Sequence, residues 1–437
     1  MKKIFSVVVF MILWTQISAQ QEKCGFSLAQ RYLERMYPAY YDAMQMHLRD
    51  LQSEKYKLTQ NSRNEIFRVP VVIHVVHNAT EENIADSLII SQMEVINEDF
   101  RRQNPNAADI RDIFRDVVGD ARIEFELKEI RRVKTTSLFS VSLLTGELPD
   151  NVKQTSAGGS NAADPTNFLN IWICKIQPIA FGPLVLGQIL GYAYPPMGLP
   201  NWPDGVSAPS PGLDGVVLDY RMIGRRSPFT IDPGTGTPIR GMGRTATHEI
   251  GHYLGLRHVW GDGGDIFGTE DSCNEDDGIE DTPNTGAQSN FSCDKTVNSC
   301  DEGPGDLPDM VENFMDYAAE DCQNSFTIGQ IALMRSVLLN QRCDLVDACQ
   351  TTSANNENAP LVRITPTLLD QGQQLEISHP YDQDVKLSIY NQMGQMMMQQ
   401  HINEKNVRVT LSNISSGLYV AVLHYKNRQF VQKIQIR

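Results

Sequence analysis

The chain has little positive charge for its length and only one long apolar run. Its 437 residues include 38 Lys and Arg against 53 Asp and Glu, a formal net charge of −15. Nucleic-acid binding needs a basic surface, so this composition argues against that class of partner. The sequence has no internal repeats or low-complexity tracts, and no segment beyond the N-terminal run is apolar enough to cross a bilayer. A hydrophobic content of 41% is ample for packed cores, and the length predicts two or three domains.

The N-terminal sequence MKKIFSVVVFMILWTQISAQ has a basic start, an apolar run and small residues near its end. This pattern predicts a signal peptide over residues 1–19, cleaved after Ala19. A membrane anchor is the alternative, but the apolar run is short for a transmembrane span. Export would make disulfides possible among the eight cysteines.

The most informative segment is HEIGHYLGLRH. His248 and His252 are four residues apart, so on a helix they share one face and can bind one metal ion. Glu249 can reach a water at that ion, and Gly255 can end the helix in a left-handed turn. The returning chain then supplies His258 as a third ligand. Three ligands leave a position open for water or substrate, which is typical of catalytic zinc.

Two other interpretations of this segment remain open. A five-residue HExxH match can arise by chance on an amphipathic helix, although the longer form makes chance less favoured. A structural zinc site usually has four protein ligands and no use for Glu249. A surface adhesin with a vestigial zinc site is a further possibility, which the intact Glu249 disfavours.

The longer motif is the metzincin signature, and metzincins also have a methionine turn downstream. The segment NFMDY supplies Met315 and Tyr317 in that place. Together with CNEDDGIEDTP and ENFMDYAAEDCQNSFTIGQIALMR, the zinc segment resembles the pappalysin family of metzincin endopeptidases. The resemblance covers roughly residues 69–349.

The resemblance implies roles for matching residues. His248, His252 and His258 would bind zinc, and Glu249 would act as general base and acid. Met315 would lie beneath the metal, and the Tyr317 hydroxyl would stabilise the tetrahedral intermediate.

The family pattern also implies features of the surrounding loops. Asp321 would form the acidic base of the pocket after the scissile bond and select Arg or Lys; an ordinary surface or cation-bound carboxylate is the alternative. Calcium is expected as a second, structural metal, with a solvated acidic loop as the alternative. Its candidate ligands offer hard oxygens: Asp276, Asp277, Asp281 and Thr282.

Seven of the eight cysteines fall into three groups. The family pattern implies disulfides Cys273–Cys300 and Cys293–Cys322. Cys343 and Cys349 are close in sequence and could pair locally. Cys174, in the apolar run NIWICKI, is more consistent with a buried free thiol.

Cys24 lies in a polar, partly helical stretch over residues 20–63 that we interpret as a pro-segment. A thiolate is a strong zinc ligand, so Cys24 could occupy the open metal position as a cysteine switch, an arrangement that some pappalysins resemble. The alternatives are a disulfide or an exposed N-terminal cysteine. The basic residue Arg63 marks a possible autolytic boundary.

The expected architecture is an α/β (α+β) metzincin zincin catalytic domain over residues 64–350, with a loop-rich lower subdomain after about residue 255. The run FRVPVVIHVVH predicts a buried strand, in which His74 and His77 are interpreted as structural rather than as ligands. Strands are also predicted at ARIEFELKEI, NFLNIWICKI, GQILGYAYPP and DGVVLDYRMI, and helices at SLIISQMEVINEDF and FTIGQIALMRSVLLNQR. By its order along the chain, GYAYPP matches the edge strand that pairs with extended substrate in metzincins.

The remaining sequence predicts a linker over residues 351–360 and a small all-β sandwich over residues 361–437. Its end, SSGLYVAVLHYKNRQFVQKIQIR, resembles the C-terminal sorting domain of type IX secretion. A generic carbohydrate- or protein-binding sandwich is the alternative. We therefore expect a secreted or surface-attached zinc endopeptidase, made as a zymogen, with protein or peptide substrates and the type IX secretion machinery as partners.

Overall fold

The computed structural model describes Cys24 and residues 65–436, apart from loop segments. The gaps are residues 143–146, 182–183, 197–198, 200–206, 233–237, 262–272, 350–362, 366–367, 370–373, 380–384, 392–395, 412–413 and 426–427. The signal peptide, the linker and all of the pro-segment except Cys24 therefore lie outside the described residues. The chain forms two compact units, Met1–Gln350 and Thr351–Arg437.

The first unit is built on a five-stranded sheet with the order β2-β1-β3-β7-β6. The strands of this sheet are β1 (Phe67–His77), β2 (Ile123–Lys134), β3 (Leu169–Cys174), β6 (Gly191–Ala193) and β7 (Val216–Asp219). Between β3 and β6 the chain forms a separate hairpin of β4 (Ile179–Phe181) and β5 (Leu184–Gly187). β1 pairs in parallel with β2 and β3, and β3 pairs in parallel with β7. β6 runs antiparallel to β7 at the edge of the sheet.

The central strands form where apolar, β-branched residues follow one another. Residues 71–76 of β1 and all six residues of β3 are buried. Such uninterrupted burial is expected of strands in a parallel sheet that is covered on both faces. The predicted strand at GQILGYAYPP is much shorter than its apolar run, because only Gly191–Ala193 pairs with β7.

In the described part of this unit, three α-helices accompany the sheet: α1 (Asp86–Phe100), α2 (Arg244–Tyr253) and α3 (Ile328–Leu339). The side chain of Gln92 on α1 donates to the carbonyl of Gly243, which precedes α2, at 2.8 Å. All ten residues of α2 are buried, so the segment with the first two histidines lies inside the unit. Thr327 and Gln330 form a capping box at the start of α3.

The described residues between α2 and α3 contain no helix or strand, as expected for a loop-rich subdomain. Two disulfides, Cys273–Cys300 and Cys293–Cys322, cross-link this region, and Cys343–Cys349 follows α3. All three predicted disulfides are therefore present. Cys174 is buried and forms no disulfide. Covalent links of this kind compensate for the small apolar core of a loop-rich segment.

The second unit contains two sheets that share one hydrophobic core. Its strands are β8 (Arg363–Thr365), β9 (Leu368–Leu369), β10 (Gln374–Ser378), β11 (Val385–Asn391), β12 (Met396–Ile402), β13 (Asn406–Thr410), β14 (Gly417–Tyr425) and β15 (Arg428–Ile436). The smaller sheet has the order β13-β10-β8 and the larger β12-β11-β14-β15-β9. The expected fold class, an α/β catalytic part followed by a small all-β part, is thus confirmed. Among the described residues, no helix is both long and apolar enough to span a membrane.

Candidate active site

Three imidazoles converge on one point at the end of α2. The Nε2 atoms of His248, His252 and His258 lie 3.1 Å from one another in each pair. Tetrahedral zinc with Zn–N bonds of about 2.0–2.1 Å would separate its nitrogen ligands by roughly 3.3 Å. The spacing of the three nitrogens therefore fits one zinc ion.

The outer ring nitrogens show which atoms face the metal position. His248 Nδ1 donates to the carbonyl of Phe314 at 2.8 Å, and His252 Nδ1 donates to the carbonyl of Leu256 at 2.8 Å. Because a carbonyl oxygen only accepts, each Nδ1 holds the proton and each Nε2 presents a lone pair. Lone pairs that face each other at this distance need a cation between them, which supports zinc at this site.

Two glycines permit the close packing around the three histidines. A Cβ on Gly251 would lie 2.4 Å from Sδ of Met315, so the methionine packs directly against α2 between the first two histidines. Gly255 has φ +94°, a conformation that favours glycine and turns the chain back toward His258. Met315 is therefore buried against the helix that contains His248 and His252.

Glu249, Tyr317 and Cys24 meet on the open side of the histidines. The Cys24 thiol lies 3.2 Å from Oε2 of Glu249, and its backbone N–H donates to the Tyr317 hydroxyl at 3.0 Å. Metal-binding atoms of Cys24 and the three histidines all lie within 4.8 Å of one another. The sulfur is thus placed where a fourth ligand would bind.

The backbone of Cys24 also contacts the sheet. It forms a parallel bridge with Gly191, the first residue of β6. A Cβ on Gly191 would lie 2.9 Å from Cγ of Glu249, so glycine is needed where the strand passes the carboxylate. Cys24 therefore lies along the edge of β6 that does not pair with β7.

Sequence reasoning missed the groups that hold α2 in place. One carboxylate oxygen of Glu320 accepts from the backbone N–H of Thr245 at 2.7 Å and from its hydroxyl at 2.6 Å, and the other accepts from Arg244 N at 3.3 Å. A carboxylate at a helix N-terminus satisfies unpaired N–H groups and complements the helix dipole. Glu320 is far from α2 in sequence and resembles any other acidic loop residue, so the sequence contained no signal for this contact.

A second buried carboxylate connects α1 with α2. Oδ2 of Asp99 accepts from the Thr247 hydroxyl at 2.8 Å, and Arg244 lies 3.5 Å from its other oxygen. Burial raises the pKa of Asp99 to about 6, although Arg244 opposes that shift. The residue before His248 is thus fixed to the neighbouring helix.

The aromatic rings next to the histidines form a third feature that sequence reasoning missed. Trp260 stacks on His258 with ring centroids 4.3 Å apart. Tyr317 contacts Trp260 edge-on at 4.8 Å. The indole ring therefore fixes both the third histidine and the tyrosine.

The four candidate calcium ligands are only partly brought together. Asp277 is buried, and burial together with neighbouring Asp276 raises its pKa well above the usual range. Oδ1 of Asp277 accepts from Ile279 N at 2.9 Å and lies 2.9 Å from the Thr282 hydroxyl. Oδ2 of Asp281 accepts from Gly329 N at 2.7 Å, in the first turn of α3.

Neither Oδ2 of Asp277 nor Oδ1 of Asp281 has a hydrogen-bond partner among the described residues. Buried carboxylate oxygens without a donor fit a cation. The three aspartates nevertheless do not bring three carboxylate oxygens within 4.8 Å of one another in the part of the chain that the structure describes.

Asp321 and the two strand histidines have different surroundings. Asp321 is exposed beside Cys322, and its backbone carbonyl accepts from Asn106 at 3.0 Å. His74 is fully buried between Ser160, at 2.8 Å, and Asn170, at 2.9 Å. These two hydrogen bonds agree with the prediction that His74 has a structural role rather than a metal-binding one. His77, at the end of β1, is not part of a metal-binding group among the described residues.

Comparison with known proteins gives matches over both units. The family model described as pregnancy-associated plasma protein-A matches residues 237–339, and a secretion-system C-terminal sorting domain matches residues 371–437. Mature mirolysin of Tannerella forsythia, in complex with a cleaved peptide, is 34% identical with a TM-score of 0.52 and covers 66% of this chain and 98% of its own. Promirolysin of the same organism is 32% identical with a TM-score of 0.57 and covers 76% of this chain and 99% of its own.

A curated extracellular metalloprotease of Arthroderma otae is 27% identical over 262 residues, which is 60% of this chain and 74% of the relative. The fold and the three-histidine site together define a zinc metalloprotease of the metzincin class. The chain belongs to the pappalysin family, as the sequence motifs predicted. It is accordingly an enzyme rather than an adhesin, and its sorting domain indicates export to the cell surface or beyond.

Proposed function

We propose that this protein is an endopeptidase in which Glu249 activates water and Tyr317 stabilises the transition state. The observation that carries the proposal is that Glu249 Oε2 and the Tyr317 hydroxyl lie beside the metal position of the three histidines, where Cys24 occupies the fourth-ligand place. A zinc ion held by the three histidines supplies Lewis acidity toward a carbonyl oxygen and makes water a stronger acid. The residues around it perform the other steps.

Each side chain has a defined task in that reaction. Glu249 accepts a proton from the attacking water and later donates it to the leaving amine. The Tyr317 hydroxyl donates to the oxyanion that develops on the scissile carbonyl. Trp260 packs against His258 and Tyr317, and Met315 packs against α2. The histidines and the tyrosine are therefore held in place before the reaction begins.

Latency follows from the position of Cys24. Its thiol lies next to Glu249 and its backbone engages Tyr317, so one residue blocks the proposed base and the oxyanion donor. The match to promirolysin covers a larger share of this chain than the match to mature mirolysin, which supports synthesis as a zymogen. Cleavage near Arg63 would remove Cys24 and open the site.

Asp321 is our proposed determinant of cleavage before Arg or Lys. Its carboxylate is exposed beside the disulfide Cys293–Cys322, while neighbouring Glu320 points inward and caps α2. Because Glu320 is anchored to the helix that contains His248, the backbone of Asp321 has a fixed position relative to the site. A carboxylate there would attract a basic side chain on the far side of the scissile bond.

Calcium binding in the loop around Asp277 is also proposed. A cation there would neutralise adjacent Asp276 and Asp277 and use carboxylate oxygens that accept no hydrogen bond among the described residues. Calcium should then raise the melting temperature, and Asp277→Asn should reduce that increase. An equal increase in both proteins would refute the assignment.

For export, we propose that the second unit is recognised by the type IX secretion machinery and that the catalytic unit is then released or retained at the cell surface. A protein lacking residues 371–437 should accumulate inside producing cells. Its secretion at the parental level would contradict this role.

The main test compares the mature enzyme with Glu249→Ala. The parent should hydrolyse casein, lose activity with a chelator and regain it with zinc. The variant should retain one zinc per chain while kcat falls by roughly 10²–10⁴-fold, because the proton acceptor is missing. Parental activity in the variant would exclude Glu249 as the base.

A further inference from the structure

The edge strand β6 is held to the sheet by little backbone pairing. Among the strands that the structure describes, β7 alone pairs with its three residues, and Cys24 forms a bridge with Gly191. A bound peptide would form its backbone hydrogen bonds with this short strand. Its position must therefore depend on side chains behind it.

Those side chains belong to Tyr192 and Tyr194. Along a strand successive side chains alternate, so Tyr192 points to the opposite face from Gly191, which lies over Glu249. The Tyr192 hydroxyl donates to Oδ1 of Asp150 at 3.0 Å, and the Tyr194 hydroxyl donates to Oδ2 at 2.7 Å. One carboxylate thus anchors β6 and the residue that follows it.

Lys153 completes this cluster. Its Nζ lies 2.9 Å from Oδ1 of Asp150 and donates to the Leu213 carbonyl at 2.7 Å. It also lies 4.7 and 4.6 Å from the ring centroids of Tyr192 and Tyr194. The ammonium group therefore has both an ionic partner and two aromatic faces.

The charges in this cluster are almost completely removed from water. The Lys153 side chain is 0% exposed and that of Asp150 is 16% exposed. Burial lowers the pKa of Lys153 and raises the pKa of both tyrosines, so the two hydroxyls stay protonated and donate. Buried charges of this kind stabilise a fold no better than apolar packing, but a fully satisfied polar network can fix one orientation.

We propose that Lys153 and Asp150 are positioning residues for substrate binding. Through Tyr192 and Tyr194 they hold β6 in the position in which its unpaired backbone edge can hydrogen-bond to an extended peptide. The scissile bond of that peptide then lies next to Glu249. This inference rests on the proposed endopeptidase function. It concerns the strand that binds the peptide backbone rather than the groups that perform the chemistry.

The first test is kinetic and uses Lys153→Met in the mature enzyme. Two substrates share one scissile bond; one is long enough to pair along β6 and the other is too short to do so. For the long peptide we expect KM to rise roughly tenfold, as for the loss of one or two main-chain hydrogen bonds. The kcat of both peptides, and the KM of the short one, should stay within about twofold of the parental values.

Arg335→Met is the matched control. Arg335 is another buried cation over an aromatic ring, 4.2 Å from the Phe67 centroid, but it contacts the start of β1 rather than β6. It should change KM for both peptides equally or not at all. An equal KM change for both peptides in Lys153→Met would overturn the proposal.

The second test measures the proenzyme and needs no activity. Because Cys24 pairs with Gly191, a displaced β6 should increase labelling of Cys24 by a small thiol reagent, located by mass spectrometry, in Lys153→Met but not in Arg335→Met. Equal labelling in the two variants would refute the positioning role. If the parental enzyme hydrolysed neither peptide, the proposed function would fail, yet the labelling would still decide this inference. If Lys153→Met does not fold, Tyr194→Phe, which removes one hydroxyl from Asp150, replaces it in both tests with the same expected directions.

Discussion

The sulfur of Cys24 lies 3.2 Å from Oε2 of Glu249, although the two residues are 225 positions apart in the sequence. The same cysteine donates its backbone N–H to Tyr317 and pairs with the edge strand at Gly191. Three parts of the proposed machinery are therefore blocked by one residue. Cys24 does so with its thiol, its backbone N–H and its bridge to Gly191.

Replacing Cys24 with alanine should shorten latency. The thiol would no longer occupy the fourth metal position, so freshly purified Cys24→Ala should cleave casein with little or no lag. Cys174→Ala, which removes the other buried thiol outside the disulfides, should keep the parental lag. A parental lag in Cys24→Ala would show that the thiol does not maintain latency.

Adding a methyl group to Gly191 should impair catalysis. A Cβ there would meet Cγ of Glu249 at 2.9 Å and the Val217 carbonyl at 3.0 Å, so the carboxylate or the strand has to move. Displacements of about 1 Å at a reacting group can cost roughly 10²-fold in rate, and we expect kcat/KM of Gly191→Ala to fall by about that factor. Gly212→Ala is the control, because its Cβ would meet nothing within 4 Å. Equal kcat/KM values in the two variants would contradict the close approach of β6 to Glu249.

Removing the Asp321 carboxylate should change selectivity more than overall activity. In a peptide library, Asp321→Ala should lose the preference for Arg or Lys after the scissile bond while still cleaving other sequences. Asp116→Ala, at another exposed aspartate, should keep the parental profile. An unchanged basic preference in Asp321→Ala would assign the pocket to other residues.

The folded protein should lose stability in mild acid because of His74. Burial lowers the pKa of His74 to about 4 from an ordinary value of 6.5, so the folded state resists a proton that the unfolded chain accepts. The contribution of this residue is complete above pH 6.5 and is lost as the pH falls toward 4, by up to about 3 kcal/mol.

Thermal unfolding of the Glu249→Ala protein, which avoids autolysis, can measure this slope. Asn170 Nδ2 donates to two backbone carbonyls, so its oxygen accepts from His74. That contact raises the pKa of His74, but burial lowers it by more. His74→Gln in the same background should show a shallower loss of melting temperature between pH 6.5 and 4. Parallel pH curves would show that another group is responsible.

The local parts of the site could be predicted because their geometry depends on short sequence separations. His248 and His252 share a face through helical periodicity, and Gly255 permits the left-handed turn before His258. Runs of apolar, β-branched residues likewise located most strands. The predicted length of β6 is too great, because an apolar run does not show how many of its residues pair with a neighbouring strand.

Residues that act from a distance could not be found in this way. Glu320 caps α2 from 75 residues away, and nothing in its neighbours distinguishes it from Asp321, which is exposed. Lys153 and Asp150 lie in a short polar turn whose sequence predicts solvent exposure, yet the fold buries the lysine against two tyrosines. Burial of a charge is a property of what packs over it, and local sequence does not encode that.

The sequence by itself determined the metal-binding residues, the adjacent carboxylate, the methionine turn and the sorting domain, because each is a compact motif whose chemistry depends on its own spacing. Only the tertiary structure decided that Cys24 lies against Glu249, that Glu320 holds the N-terminus of α2, and that a buried lysine supports the edge strand. Those contacts join segments from distant parts of the chain. They exist only once the sheet and α2 have packed, since that packing brings the groups together and excludes water from them.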